Sequence, residues 1–525
     1  MAKLKKLACA ALAVMIVLPY SGCGKTDTTE EDKSSSTEMP KEVSVFGWRS
    51  SSLGEEMIDY NDVNSFKLME EKTGTRINWI LPPSSGYDEK FNLMIASEEL
   101  PDVVIAGWKS LGVNKYAEDN VIIPLDDMKD CMPNFISYLE KHPEFKKDIV
   151  AGDGKIYYLP YIREDKELNV YYGPQIRQDW LDKLNLEMPA TADELYEVLK
   201  AFKTKDPNGN GKADEIPFTC LGAANACHLL AMFDTMNDFY VKDGRIKYGF
   251  MEPEFEEGMS YISKLFAEGL IDVDYVFQDR AKMDGKMTNN LAGMMYSYQP
   301  TNISNTMAEK DPGFKLVGMP HMMNKSGQKV TDLKDYIQSI IATSAAITSK
   351  CKNPKGVLKW LDSFYSDEGI EIMNFGKENE TFTMADGVHK FTDEILNNPE
   401  YSVGRAAGRN IGAFNSYFPT VQKWESYSQT LSPYGIEAIN TWSDVDTSML
   451  LPEMNFTDEE KEELTNLLSP ITTYVSERID KIIMGQESLD TFESARKTVT
   501  DMGIGRAMEI YQNAYDRYLK ADSSF

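Results

Sequence analysis

Between residues 206 and 215 the chain reads Asp-Pro-Asn-Gly-Asn-Gly-Lys-Ala-Asp-Glu, with oxygen-bearing side chains at loop positions 1, 3, 5, 9 and 10. A hard cation such as Ca²⁺ takes about six to eight oxygens, and alternate donors in a loop curling round one point supply them. Gly211 at position 6 permits the sharp turn, and the backbone carbonyl of Lys212 at position 7 adds a ligand. An EF-hand closes its shell with a bidentate Glu at position 12, where this chain has Pro217. Asp214 and Glu215 stand in for it. The expected ligand set is Asp206, Asn208, Asn210, Lys212, Asp214 and Glu215, holding a structural Ca²⁺. A hydrophilic Asn-Gly turn that binds nothing is the plain alternative.

Strands and helices alternate around this loop. Thr191-Ala-Asp-Glu194 is a capping box, and Leu195, Val198, Leu199 and Phe202 follow on one helical face. Upstream, Glu42 to Trp48 alternates as a strand, and Val63, Phe66 and Met69 take helical spacing up to Gly74. Ile77, Trp79 and Leu81 form a second strand that ends at Pro82-Pro83, a helix carries Phe91, Met94 and Ile95, and Val103 to Ile105 is a third strand. Three strands with intervening helices imply βαβ crossovers and a largely parallel sheet. A second capping box, Thr457-Asp-Glu-Glu460, opens a helix through Leu464, Ile471, Val475 and Ile482, which Pro470 is expected to kink or restart. Two more amphipathic stretches make the C-terminal part helix-rich.

The 525 residues are 42% hydrophobic and 26% charged, an ordinary globular balance with core enough for two or three packed units. Against 55 Lys and Arg stand 83 Asp and Glu, a net charge of −28 that excludes nucleic acid as a partner and disfavours adsorption to anionic lipid. Four histidines leave little room for histidine-rich metal sites. At the N-terminus, Lys3, Lys5 and Lys6 precede an apolar run from Leu7 to Leu18, which at about 18 Å of helix is too short to span a bilayer. Ser21 and Gly22 then precede Cys23. Residues 1–22 read as an export signal, with Cys23 as the lipidated first residue of the mature protein; a signal cut without lipidation is the alternative. The polar run over 23–41 reads as a disordered tether of roughly 23 Å r.m.s.. Cys220 and Cys227 could pair or stay as buried thiols.

The stretch IRQDWLDKLNLEMPATADELYEVLKAFKTKDPNGNGKADEIP (176–217) resembles the extracellular solute-binding proteins of family 1, within them the lipoprotein branch that binds alginate and oligosaccharides. FNLMIASEELPDVV (91–104), GKIYYLP (154–160) and CKNPKGVLKWLDSFYSDEGIEIMNFG (351–376) share that look. The resemblance implies an α/β, two-lobe periplasmic-binding-protein-like fold of type II, with a hinge of multiple chain crossings. It also implies a structural calcium in the 206–215 loop, no enzyme activity, and delivery of a carbohydrate to the permeases of an ABC importer. The expected division is 42–162 and 331–395 in one lobe, 163–330 and 396–525 in the other, as a monomer.

Sugars present apolar CH faces and many hydroxyls, so a site for them combines flat rings with planar polar groups at strand ends. Trp48 and Trp108 each follow a predicted strand; Tyr161, Arg177, Tyr296 and Arg409 complete the expected ligand-binding set, with Arg405 and Arg409 able to meet a uronate carboxylate. A sensory binding protein serving a membrane kinase is an alternative of the same fold. A surface glycoside hydrolase or lyase is a further one, although no local pattern marks a catalytic carboxylate pair.

Overall fold

The computed structural model describes residues 36–50, 53–54, 56–151, 153–332, 341–414, 418–454 and 456–520. The export signal, Cys23 and residues 23–35 lie outside the described residues. The end of the expected tether does not behave as one. Asn353 donates to the carbonyl of Glu38 (2.9 Å), Thr75 Oγ1 donates to that of Pro40 (2.6 Å), and Met39 packs on the first core. Met39 and Pro40 supply the apolar contact that the polar run before them lacks.

The strands in chain order are β1 (Glu42–Phe46), β2 (Arg76–Ile80), β3 (Val103–Ala106), β4 (Tyr158–Arg163), β5 (Tyr172–Arg177), β6 (Ile216–Thr219), β7 (Phe239–Lys242) and β8 (Arg245–Tyr248). They continue with β9 (Ala292–Tyr298), β10 (Leu316–Gly318), β11 (Ile341–Ile347), β12 (Phe382–Ala385), β13 (Val388–Phe391) and β14 (Thr420–Gln422). One sheet has the order β14-β4-β11-β3-β1-β2, the other β10-β5-β9-β6; β7-β8 and β12-β13 are hairpins. β1 pairs in parallel with β2 and β3, as the helical crossovers require. The first sheet is nonetheless mixed, because β11 returns from the second lobe and runs antiparallel to both β3 and β4.

Local chemistry fixes these elements. Asp102, one residue before β3, accepts from the backbone and hydroxyl of Ser44 (2.9 and 2.7 Å), which sets β1 against the start of β3. Gly74 closes the Asn64–Thr73 helix at φ 70°. Both capping boxes form, Thr191 over Ala192–Thr204 and Thr457 over Asp458–Ile483. The latter helix runs unbroken through Pro470 rather than restarting there. Asn466, whose carbonyl loses its partner, and Pro470 are both exposed, so water can take the lost bond.

Each sheet carries its own core. Val43, Val45, Val103, Leu159 and Phe364 belong to the first, and Ile176, Phe202, Phe218, Ile262 and Ile479 to the second. The chain passes between the sheets three times, over 163–172, 332–341 and 422–433, of which 333–340 lie outside the described residues. The third passage corrects the expected division. β14 pairs with β4, and Ala407, Ile411 and Ala413 pack on Phe375 and Tyr161, so residues 396–422 belong to the first lobe. Only from the Pro433–Trp442 helix onward does the chain join the second. There the Trp442 indole donates to the carbonyls of Pro174 and Met319 (3.0 and 3.2 Å).

That seat depends on Gly173, where an added Cβ would lie 2.5 Å from the Trp442 ring. Gly173→Val is expected to cost about 1–3 kcal/mol by overpacking, measured as a lowered denaturation midpoint; an unchanged midpoint would show that the helix docks by other contacts.

Candidate ligand cleft

Strand directions determine which sheet edges face each other. β1, β3, β4 and β14 all run the same way, so their C-terminal ends, and the start of the opposed β11, share one edge. Along it lie Gln422, Arg163, Ile341, Gly107 and Trp48. In the second sheet β6, β9 and β10 run together and β5 against them, and the ladder pairs Tyr172 with Tyr298. The edge reached from Arg163 therefore carries Tyr171, Tyr298 and Cys220. All three passages leave from these two edges, which makes them the walls of the cleft and the passages its hinge.

Rings gather at the base of the cleft. A cavity of about 210 Å³ is lined by Tyr161, Arg163, Tyr171, Phe414, Gln422 and Tyr427, drawn from the first lobe and the first and third passages. Tyr161 donates to the carbonyl of Ala413 (2.7 Å), and the Arg163 guanidinium sits 5.6 Å over its ring. Tyr171 stacks on Tyr298 at 5.3 Å and 22°, and the Arg280 guanidinium lies 5.0 Å from the Tyr298 ring centre. Tyr427 meets Phe414 at 5.8 Å and Trp424 at 6.0 Å. The volume lies below the ~300–1,000 Å³ of a pocket that encloses a drug-sized ligand. Lys423 forms an ion pair with Glu164, and the Trp424 backbone donates to Asp165 (2.7 Å), clasping the first and third passages together.

The six expected ligand residues divide. Trp48 is half-exposed at the end of β1, edge-on to Tyr87, whereas Tyr161 is buried in a core cluster with only its edge against the hinge cavity. Arg409 reaches Glu56 at 3.1 Å and lies 4.5 Å over Tyr401. Trp108 is fully buried instead. The chain turns into a helix at that residue, and the indole folds back to donate to the carbonyl of Val104 (3.1 Å) among Phe91 and Tyr116. Arg177 lies at the far end of β5 from the cleft, buried between Trp180 and Phe314 and doubly bonded to Asp179 (2.8 and 2.6 Å). Tyr296 points inward to Phe218 and His228, and burial pushes its hydroxyl well above the usual range. Its strand neighbour two residues on, Tyr298, holds the exposed strand-end position. Tyr171, Phe414 and Tyr427 gave no periodic signal, because Tyr171 precedes β5 and the other two sit in helices of only three and five residues.

The 206–215 loop folds as its glycines require, with Gly209 at φ 73° and Gly211 at φ 76°. Asp206 accepts from the backbones of Asn210 and Gly211 (both 3.1 Å), and the amides of Asn208 and Asn210 donate to Asp214 (3.2 and 2.9 Å), holding its carboxyl below the usual range. Glu215 differs. Both its oxygens are buried and receive no hydrogen bond, and burial, with the nearby charges of Asp206 and Asp214, raises its carboxyl. A buried carboxylate crowded by two others is costly unless a cation answers it. Among the described residues no three His, Cys, Asp or Glu side chains suffice alone to hold a metal, so a cation here would draw on amide and backbone oxygens as well.

The comparisons agree with this architecture. Residues 54–371 match the bacterial extracellular solute-binding protein family, and the chain belongs to it. It is a binding protein, not an enzyme. It is 28% identical to the fructooligosaccharide ABC transporter substrate-binding protein FusA of Streptococcus pneumoniae over 541 residues, covering 96% of each chain. It is 30% identical to lipoprotein LipO of Bacillus subtilis, covering 64% of this chain and 66% of LipO. Among solved structures, alginate-binding protein AlgQ2 without calcium ion superposes with a TM-score of 0.68 at 27% identity, over 90% of this chain and 98% of that one. FusA of S. pneumoniae in complex with kestose gives 0.70 at 25%, over 91% and 99%; FusA is also represented by an EF-hand mutant in complex with fructo-nystose.

Because Arg177 is locked in the second lobe away from the cleft, Arg177→Ala is expected to destabilise by about 3 kcal/mol, as for one partner removed from a buried pair. Ligand affinity of the folded fraction should not change; a loss of affinity at unchanged stability would return Arg177 to the site.

Proposed function

We propose that this protein captures a carbohydrate, an oligosaccharide, between its two lobes and hands it intact to the permease subunits of an ABC importer. The observation that carries this reading is the set of rings and planar polar groups on the facing strand ends, gathered where the chain crosses three times. Trp48, Tyr161 and Arg409 on the first lobe, with Tyr171 and Tyr298 opposite, are the residues we assign to the ligand. Relatives that bind fructooligosaccharide and alginate support the ligand class. Cys23, following a short apolar signal, fits a lipid anchor at the extracytoplasmic membrane face, and LipO supports it as a lipoprotein relative. Ca²⁺ in the 206–215 loop serves as a structural clip between the Ala192–Thr204 helix and β6. The buried, unbonded Glu215 carboxylate is the observation that favours it, with the calcium and EF-hand descriptions of the relatives in support.

A glycan array followed by calorimetry on the mature soluble form tests the function, with one ligand per protein and the ligand recovered unchanged as the expected result. Hydrolysed or eliminated product would sink the transport reading. Tyr298→Ala and Trp48→Ala should each weaken binding more than about tenfold, or ~1.4 kcal/mol, with equal affinity in both variants removing the cleft assignment. Chelation should lower the melting temperature of the metal-loaded protein, and Asp206→Ala should abolish that response; a melting temperature indifferent to chelator would refute the calcium clip.

A further inference from the structure

The charges along the two cleft walls bear on the charge of the ligand. On the first wall Arg405 and Arg409 both bond Glu56, at 2.7 and 3.1 Å, and the Arg405 hydrogen bond keeps that carboxyl below its usual range. Arg49, on the same loop after β1, is turned to the carbonyls of Gly54 and Met57 (2.7 and 2.8 Å). On the second wall Arg280, which covers Tyr298, bonds Asp284 at 2.7 Å, and Lys286 bonds both Asp272 and Asp274 (2.7 and 3.1 Å). At the hinge Lys423 is paired with Glu164, and Arg163, which lies over the Tyr161 ring, lines the small cavity along with Glu167. The cations named here on the walls are thus answered by this chain's own carboxylates or carbonyls, in a protein of net charge −28.

A uronate entering this cleft would compete with Glu56 for Arg405 and Arg409. Displacing it would leave a carboxylate of the protein beside a carboxylate of the ligand, and like charges at contact repel. An uncharged glycan meets neither obstacle, since stacking on Trp48 and Tyr298 and hydrogen bonds to hydroxyls require no free cation. We infer that the cleft is built for an uncharged glycan, with Glu56 as an internal counter-ion that disfavours uronates. This inference rests on the carbohydrate reading above and narrows it.

Calorimetry of the mature protein against neutral gluco- and fructo-oligosaccharides and against oligogalacturonates of equal length tests it. The best neutral glycan should bind at least about 100-fold more tightly than any oligogalacturonate. Its affinity should move less than roughly twofold between low and high salt, because no exposed ion pair forms. Glu56→Gln, at an exposed loop position, should strengthen oligogalacturonate binding about tenfold by releasing both arginines. Tighter binding of an oligogalacturonate than of every neutral glycan by the unaltered protein overturns the inference, whatever the variant does. An unaltered uronate affinity in a folded Glu56→Gln overturns the role of Glu56. Binding of neither class across the panel overturns the carbohydrate reading itself, an outcome distinct from a preference for the charged ligand.

Discussion

Three passages of one chain between two sheets, all leaving from matched edges, constrain everything else in this molecule. A single linker would let the lobes swing freely; three strands of backbone restrict them to rotation about a common line. The clasp of Lys423 on Glu164 and of the Trp424 backbone on Asp165 ties two of those passages side by side. The remaining freedom is opening and closing, a hinge motion in which a few terminal residues of elements absorb the change. Rings at the base of the cleft lie on or next to the passages themselves, so a guest there touches the hinge as well as both walls.

Closure on a guest explains affinity without chemistry. A ligand shifts the balance between open and shut forms only by the contacts it makes in one and not the other. Tyr161 and Phe414 come from the first lobe, Tyr171 from the passage, and Tyr298 from the second lobe, so a molecule spanning them gains its full set of contacts only when the lobes are together. Lys109 adds a link away from the hinge, bonding Asp148 in its own lobe and Glu453 in the other at 2.6 and 3.3 Å. The pair is accessible to water at its Glu453 end and contributes little alone. It marks a second place where the lobes meet, beside a cavity of about 650 Å³ lined by Lys109 and Tyr158 of one lobe and Phe456 and Arg517 of the other.

Much of the fold was legible in local pattern, and the site only in part. Capping boxes at Thr191 and Thr457 and the glycine stop at Gly74 are short-range devices, and each formed as read. The turn of the 206–215 loop was legible for the same reason, since its two left-handed glycines and the Asp206 hydrogen bonds join neighbours in the chain. Trp108 and Trp48 follow strands in the same way, yet only one stays at the surface. Their fates diverge because Trp108 begins a helix that folds its ring back on the strand. Spacing does not encode that turn. Arg177 and Tyr298 depend on which end of a strand meets the cleft, a fact set by antiparallel pairing with a segment more than a hundred residues away. The third passage was placed some residues too early because β14 is three residues long and has no pattern of its own.

The docking of Met39 beneath the Pro354–Asp362 helix has a mechanical consequence. Any pull transmitted along the N-terminal segment arrives at the first lobe, through the Glu38 carbonyl and the edge of β1, and never crosses the hinge. Held from that end, the molecule has one stationary jaw and one moving jaw, and the moving jaw is the one that carries the 206–215 loop and the long C-terminal helices. A pull applied at Glu38 therefore does not load the closing motion.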